Sequence, residues 1–330
     1  MEIVEFEDRY SDGVIEIWNK SCENEMPYKP FTKESFQQTF LANPEFDYKG
    51  TFVALENDKV IGFANGIFPR KLMPGESAEN APGYVTFVIV DQQFRGKGIG
   101  AQLLSRVEKF FMDSGKHFAA ILFFNPISLS WYIPGTDGHD HPCSPGVDLG
   151  SEAFPFFIRH GYFLTTAENS MHLDLTNYEI PQKTAKKIES LKKDGITFEY
   201  YDSKKHTGLD EFFDHLGNEY WRKDINDNMK RENPRPVIIA CDKGKVCGFT
   251  GPVDKEESGR GWFAGIGVDP AYEGKGIGTV LFTLLMKNFK EIGVKFSSLY
   301  TGIENPARKI YLRTGFQVVK QWGIMRKELQ

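Results

Sequence analysis

Apolar residues along this chain follow two spacings, and the order of those spacings occurs twice. Short β-branched and aromatic runs at residues 3–6, 51–56 and 60–67 predict strands, the last two forming a hairpin across Asn57-Asp58. Between them, apolar positions recurring at three and four predict helices over 12–24 and 33–41. A strand over 84–90, a helix over 101–114 and a strand over 118–124 follow. The same succession then returns. It comprises a strand over 197–201, a helix over 209–221, a hairpin of 237–241 with 246–250 across Lys243-Gly244, a strand over 261–268, a helix over 279–292 and a strand over 296–299.

Self-comparison turns that impression into a repeat. The eleven residues from Val90 to Gly100 match those from Val268 to Gly278 at seven positions, with a constant offset of 178. Each unit closes on a second shared feature, a short helix stopped by glycine and followed by a strand: Ala153 to Tyr162 parallels Ala307 to Phe316. Gly161 and Gly315 lie 154 apart, so the first copy holds 24 additional residues between the two features. They fall in a Gly-, Pro-, Asp- and His-rich stretch over 128–150, expected to be a long functional loop. The expected organisation is a first domain over 1–178 carrying that insertion and a second over 179–330 that includes a lysine-rich linking helix at 181–194. Each domain is expected to be α/β (α+β), a mixed, largely antiparallel twisted sheet flanked by helices.

The chain is 40% hydrophobic and 14% aromatic, which suits two substantial cores. No apolar run is long enough to cross a membrane, and the acidic start lacks a secretory pattern. Cys22, Cys143, Cys241 and Cys247 show no framework spacing, although Cys241 and Cys247 flank the second hairpin turn; the expectation is reduced thiols and a cytoplasmic location. Residues 1–178 hold 14 Lys and Arg against 24 Asp and Glu, residues 179–330 hold 26 against 21, and the whole carries −5. That balance points away from nucleic acid and leans the first half towards cationic ligands.

The chemistry sits in the repeated glycine loops, Arg95-Gly96-Lys97-Gly98-Ile99-Gly100 and Glu273-Gly274-Lys275-Gly276-Ile277-Gly278. A strand feeding such a loop into a helix leaves N–H groups unpaired at a positive helix end, a site for phosphate. Gly-Lys is followed by Gly, not Ser or Thr, which disfavours a P-loop, and the GxGxG spacing after antiparallel strands equally disfavours the dinucleotide fingerprint.

On these motifs both halves resemble the GNAT superfamily of acetyl-CoA-dependent N-acetyltransferases. Its pyrophosphate motif, Gln/Arg-x-x-Gly-x-Gly/Ala, is met in full by the first loop, whereas the second puts Glu273 at the leading position. Its second signature is met by Ala307, Tyr311 and Gly315-Phe316, whereas the first copy puts Phe157 at the tyrosine position. The resemblance implies tandem GNAT-like domains with acetyl-CoA as co-substrate and a small-molecule amine as acceptor, and the acidic first half leans that acceptor towards a cationic amine. It implies that the pantetheine arm lies along Val88, Ile89 and Val90, or along Ile266, Gly267 and Val268, with a backbone N–H near Val268 polarising the thioester carbonyl. It further implies direct attack by the amine in a ternary complex, with Tyr311 protonating the departing thiolate.

Several residues keep two readings. Asn305 either caps the helix after it or contacts the cofactor. Glu273 repels a pyrophosphate unless it points away. Tyr132, in the insertion, is the stand-in acid for the first domain, and Asp254, Glu256 or Glu257 serves as base or acceptor contact, or as plain surface charge. His139-Asp140-His141-Pro142-Cys143 invites a metal, but no partner cluster is evident and none is expected. Three functions stay open: transfer in the second domain, transfer in the first, or acetyl-CoA sensing without turnover.

Overall fold

A computed structural model describes residues 1–70, 72, 77 and 79–330. In chain order the first elements are β1 (Glu2–Glu5), α1 (Ser11–Asn24), α2 (Lys33–Phe36), β2 (Thr51–Glu56), β3 (Lys59–Ile67), β4 (Gly83–Val90), α3 (Ile99–Asp113) and β5 (Phe118–Ile121). Then come β6 (Trp131–Tyr132), β7 (Asp140–His141), β8 (Val147–Asp148), α4 (Ala153–Arg159) and β9 (Phe163–Asp174). The remainder runs α5 (Gln182–Lys193), β10 (Ile196–Tyr200), α6 (Leu209–Leu216), α7 (Glu219–Met229), β11 (Ile238–Asp242), β12 (Lys245–Gly251) and β13 (Arg260–Gly261). It ends with β14 (Gly265–Val268), α8 (Ile277–Glu291), β15 (Phe296–Gly302), α9 (Arg308–Thr314) and β16 (Gln317–Glu328). The fold is mixed α/β, as the pattern predicts.

Two compact units result, one of Met1–Asn169 with Lys320–Gln330, the other of Ser170–Val319. This division differs from a single cut near residue 178, because the last strand of the chain hydrogen-bonds within the first unit. There, Met325 lies opposite Ile121 and Glu328 opposite Phe118, antiparallel.

In the first unit β1, β2, β3 and β4 form an antiparallel run, followed by β5 and then β16. Helix α1 buries Ile17 and Trp18 on one face; α3 buries Leu103, Leu104, Val107 and Phe111 on the other. The expected helix over 33–41 is α2 continued by a π turn through Leu41. The insertion at 128–150 is more ordered than a loop. Its β6–β7 hairpin pairs Trp131 with His141, and β8 pairs Val147 with Gly323 of β16. Trp131 is fully buried, donates its indole N–H to the Cys143 carbonyl at 3.0 Å, and meets Trp322 edge to face at 5.1 Å.

The second unit repeats the plan with a four-stranded run, β10-β11-β12-β14. Helix α8 buries Val280, Leu281, Phe282, Leu285, Met286 and Phe289. Two expected elements are broken. The helix over 209–221 divides at Gly217, which caps α6 at a φ of 63°, after which the Asn218 side chain caps α7 through the Trp221 N–H at 3.1 Å. The strand over 261–268 divides into β13 and β14 around residues 262–264. Helix α5 presents Thr184, Ile188 and Leu191, spaced four and three, to the core, so the linking helix packs into this unit.

Candidate functional site

Each unit contains a place where two parallel strands start together and part. In the first, β4 pairs with β5 only at Gly83↔Ala119 and Tyr84↔Ala120. In the second, β13 pairs with β15 only at Arg260↔Phe296 and Gly261↔Ser297, and β14 pairs with β12 but not with β15. Gly83 and Gly261, like Ala119 and Ser297, keep the offset of 178, so the repeat extends to register. Both glycines sit beneath a helix phenylalanine. A Cβ on Gly83 would lie 2.4 Å from the Phe111 ring, and one on Gly261 would lie 2.5 Å from Phe289. A side chain there would push the helix off the sheet exactly where the strands diverge, so glycine is required by packing at this point.

The parted strands expose backbone. The Asp91 N–H bonds to the Ile61 carbonyl of β3, and the Asp269 N–H to the Cys247 carbonyl of β12. Strand alternation then turns the polar groups of Val88 and Val90, and of Ile266 and Val268, to the open edge, with those of Ile89 and Gly267 facing the neighbouring strand. Of the six residues expected to line the pantetheine arm, Val88, Val90, Ile266 and Val268 therefore offer backbone groups to it, and Ile89 and Gly267 do not. Thr301, on β15 beyond its last partner to β13, has a buried hydroxyl with no hydrogen bond among the described residues, an orphan that suits a polar ligand.

At the open end of each edge strand lies the glycine loop. Asp91 and Asp269 start it alike, accepting from the Gln93 N–H at 3.0 Å and the Ala271 N–H at 2.9 Å. Asp91 is held by Lys20 of α1 at 2.9 Å, and Asp269 by His215 of α6 at 2.6 Å. Burial works against ionising either aspartate, but these bonds outweigh it and hold both pKa values below the ordinary carboxylate range. Gly96 and Gly98 take φ of 75° and 77°, and Gly274 and Gly276 take 73° and 87°, which brings the chain into the helix with its N–H groups facing outward. Among the described residues, the N–H groups from Gly96 through Ala101 and from Gly274 through Thr279 have no acceptor. A Cβ on Gly96 or Gly274 would meet nothing within 4 Å. Two rows of unpaired donors at the ends of 15-residue helices fit a pyrophosphate.

The charged side chains of the loops have partners of their own or lie in solvent. Arg95 folds back, donating from Nε to the Val90 carbonyl at 2.9 Å and pairing with Glu25 at 2.5 Å. Lys97 lies over the Phe94 ring at 4.9 Å and Lys275 over the Tyr272 ring at 4.6 Å. Glu273 is exposed, so the charge that sequence pits against a phosphate sits in solvent.

Tyr311 is buried among rings: Phe282 at 4.9 Å, and Phe263, in the break between β13 and β14, at 6.1 Å. Its hydroxyl makes no hydrogen bond to a described residue, and burial pushes its pKa up to about 12. The proton therefore stays on the ring oxygen at neutral pH. Phe157 occupies the matching place in the first unit, buried against Phe156 and Tyr162. Tyr132 is exposed on the β6–β7 hairpin, its ring near Lys29.

Asn305 caps its turn by accepting from the Ala307 N–H at 2.9 Å. Sequence reasoning missed its counterpart, Asn125, which accepts from the Ile127 N–H at 2.9 Å and donates to Thr86 of β4 at 3.2 Å. The repeated Asn-Pro dipeptide, Asn125-Pro126 and Asn305-Pro306, was the available signal. Two candidate bases are tied up in ion pairs, Asp254 with Arg235 at 2.7 Å and Glu256 with Arg260 at 2.7 Å. In the His-Asp-His-Pro-Cys stretch, Asp140 pairs with Lys29 at 2.7 Å and the His141 Nδ1 lies 3.0 Å from the Cys143 carbonyl. Among the described residues, one set of possible metal ligands converges, Glu199, His206 and Cys241. The His206 Nδ1 accepts the Asp202 N–H at 2.9 Å, which leaves the proton on Nε2, facing Glu199 at 3.3 Å, and no lone pair for a metal.

A model of the acetyltransferase (GNAT) family matches residues 13–132 and 199–316. Over 102 residues the chain is 35% identical to an uncharacterised N-acetyltransferase of Methanocaldococcus jannaschii, a match covering 29% of this chain and 42% of that protein. Over 103 residues it is 33% identical to mycothiol acetyltransferase of Propionibacterium freudenreichii, covering 29% of this chain and 33% of that protein. The match therefore spans less than half the length of either relative. The fold is similar to that of a GCN5-related N-acetyltransferase from Sphaerobacter thermophilus, with a TM-score of 0.62 at 17% identity over 100% of this chain and 96% of that one.

Proposed function

Because the chain belongs to the acetyltransferase (GNAT) family, we propose that it transfers an acetyl group from acetyl-CoA to a primary amine, with the chemistry in the second unit. The observation that carries this is the position of Tyr311. It is a buried, protonated phenol packed against Phe263, in the break where the paired β13 gives way to the unpaired edge of β14. Phe157 offers no such proton in the first unit.

In this reading the N–H groups from Gly274 through Thr279 hold the pyrophosphate, and Ile266 and Val268 bind the pantetheine arm through their open-edge backbone. Bound acetyl-CoA supplies the thioester. The Val268 N–H stabilises charge on the carbonyl oxygen as the amine, its proton lost to water, forms the new C–N bond. Tyr311 keeps a proton on its hydroxyl oxygen and delivers it to sulfur as the C–S bond breaks. Its high pKa leaves it in the donor form across the neutral range. The first unit binds acetyl-CoA through Gly96 to Ala101 without turnover.

The test is Tyr311→Phe assayed for acetyl transfer to a panel of small amines. The ring packing is kept, so the fold is expected to survive, while kcat is expected to fall by about 10²–10⁴-fold, the usual worth of a positioned acid. A variant with undiminished turnover would move the chemistry elsewhere. Coenzyme A binding without transfer to any amine would favour the sensing alternative.

A further inference from the structure

We propose that Lys187, carried by α5 ahead of the second sheet, is a phosphate ligand of the second glycine loop. It supplies there a positive charge that the residues of the loop itself do not. This proposal rests on the reading of that loop as a coenzyme A site and adds a residue that neither motif contains.

The placement follows from the helix pattern. Thr184, Ile188 and Leu191 face the core of the second unit, and Lys187 stands beside them at the edge of that stripe. Its aliphatic stem lies across the loop. A Cβ built on Gly276 would come within 2.9 Å of Lys187 Cε, 3.6 Å of Cγ and 3.8 Å of Cδ. Gly276 is the residue that caps α8 at a φ of 87°. Among the described residues, a Cβ built on the corresponding Gly98 of the first loop would have the Gln102 Nε2 as its one neighbour within 4 Å, at 4.0 Å. The two loops are alike in backbone, and this cover is found on the second.

A cation in that position is poorly placed unless an anion joins it. The first turn of α8 is the positive end of a helix dipole, and its N–H groups through Thr279 lack acceptors. A half-buried ammonium-bearing side chain laid against it adds charge of the same sign. Among the described residues Lys187 makes no ion pair or hydrogen bond that would offset this. The loop's own Lys275 is turned onto Tyr272, whose hydroxyl is in turn committed to Asp242 at 2.9 Å. Among the described residues, Lys187 is thus a cation without a partner whose stem lies on the loop. A pyrophosphate bound on them would be completed by it through a charge-assisted contact.

The test is calorimetric titration of the full chain with coenzyme A, comparing the unaltered protein with Lys187→Met and Lys187→Arg. Methionine keeps an unbranched stem over Gly276 and removes the charge. One binding event is expected to weaken by about tenfold in Lys187→Met and to be retained in Lys187→Arg, with melting temperatures unchanged. Inorganic pyrophosphate, used as competitor, should lose potency at the same site. Unchanged or tighter binding in Lys187→Met would overturn this proposal alone, showing the stem to be packing or a plug. No binding of coenzyme A to the unaltered protein would overturn it together with the reading beneath it.

Discussion

Replacing Gly98 by alanine tests whether the first row of unpaired N–H groups is an anion site. Gly98 has a φ of 77° and its nearest neighbour to an added Cβ stands 4.0 Å away, so the substitution meets strain but no clash. The left-handed angle costs an L-residue roughly 1–2 kcal/mol of stability. At the site, the methyl group and the altered cap are expected to displace at least one charge-assisted bond to a ligand. That bond is worth about 1.5–3 kcal/mol, or roughly 10–150-fold in Kd. Gly115 provides the control, since its φ is 73°, an added Cβ meets nothing within 4 Å, and it lies beyond the far end of α3. Gly98→Ala and Gly115→Ala should lower the melting temperature similarly, and only the first should weaken one coenzyme A site in a calorimetric titration. If both variants bind with the stoichiometry and affinity of the unaltered protein, the donors from Gly96 to Ala101 are not a cofactor cradle and the assignment falls.

Two further consequences concern stability. Arg260 is buried, bonding twice to Glu256, at 2.7 and 2.8 Å, and once to the Ser298 carbonyl at 2.9 Å; Arg260→Met removes all three bonds, breaks the ion pair with Glu256 and should cost about 3–5 kcal/mol in urea unfolding. Glu256→Gln in the same background should recover part of the loss, and a silent Arg260→Met would contradict the network. His215 has its pKa raised chiefly by its hydrogen bond to Asp269. Its stabilising contribution is therefore complete below the ordinary value of 6.5 and lost as pH rises through the raised one. His215→Gln should melt below the unaltered protein at mildly acidic pH and converge with it in alkaline buffer; a gap that widens with pH would reverse the assignment.

What the sequence determined by itself is whatever depends on neighbours in the chain. The loops were legible because glycines at Gly96, Gly98, Gly274 and Gly276 permit a left-handed backbone before a helix, and that requirement is local. The amphipathic helices and hairpins were legible for the same reason, through periodicity and turn residues. The breaks at Gly217 and between β13 and β14 were harder, because each looks like a tolerable interruption until packing shows where a helix or strand must turn.

Only the tertiary structure decided the pairings between distant segments. Nothing near residues 320–330 announces that they pair with β5, since the preference arises from the open edge that β5 offers about two hundred residues earlier. Arg95 reads as a phosphate ligand from its motif position, yet Val90 and Glu25 compete for it at contact distance. Lys187 reads as one lysine among several on a solvated helix. Its difference from the others is set by the rotation of α5 on the core, which brings that stem onto Gly276.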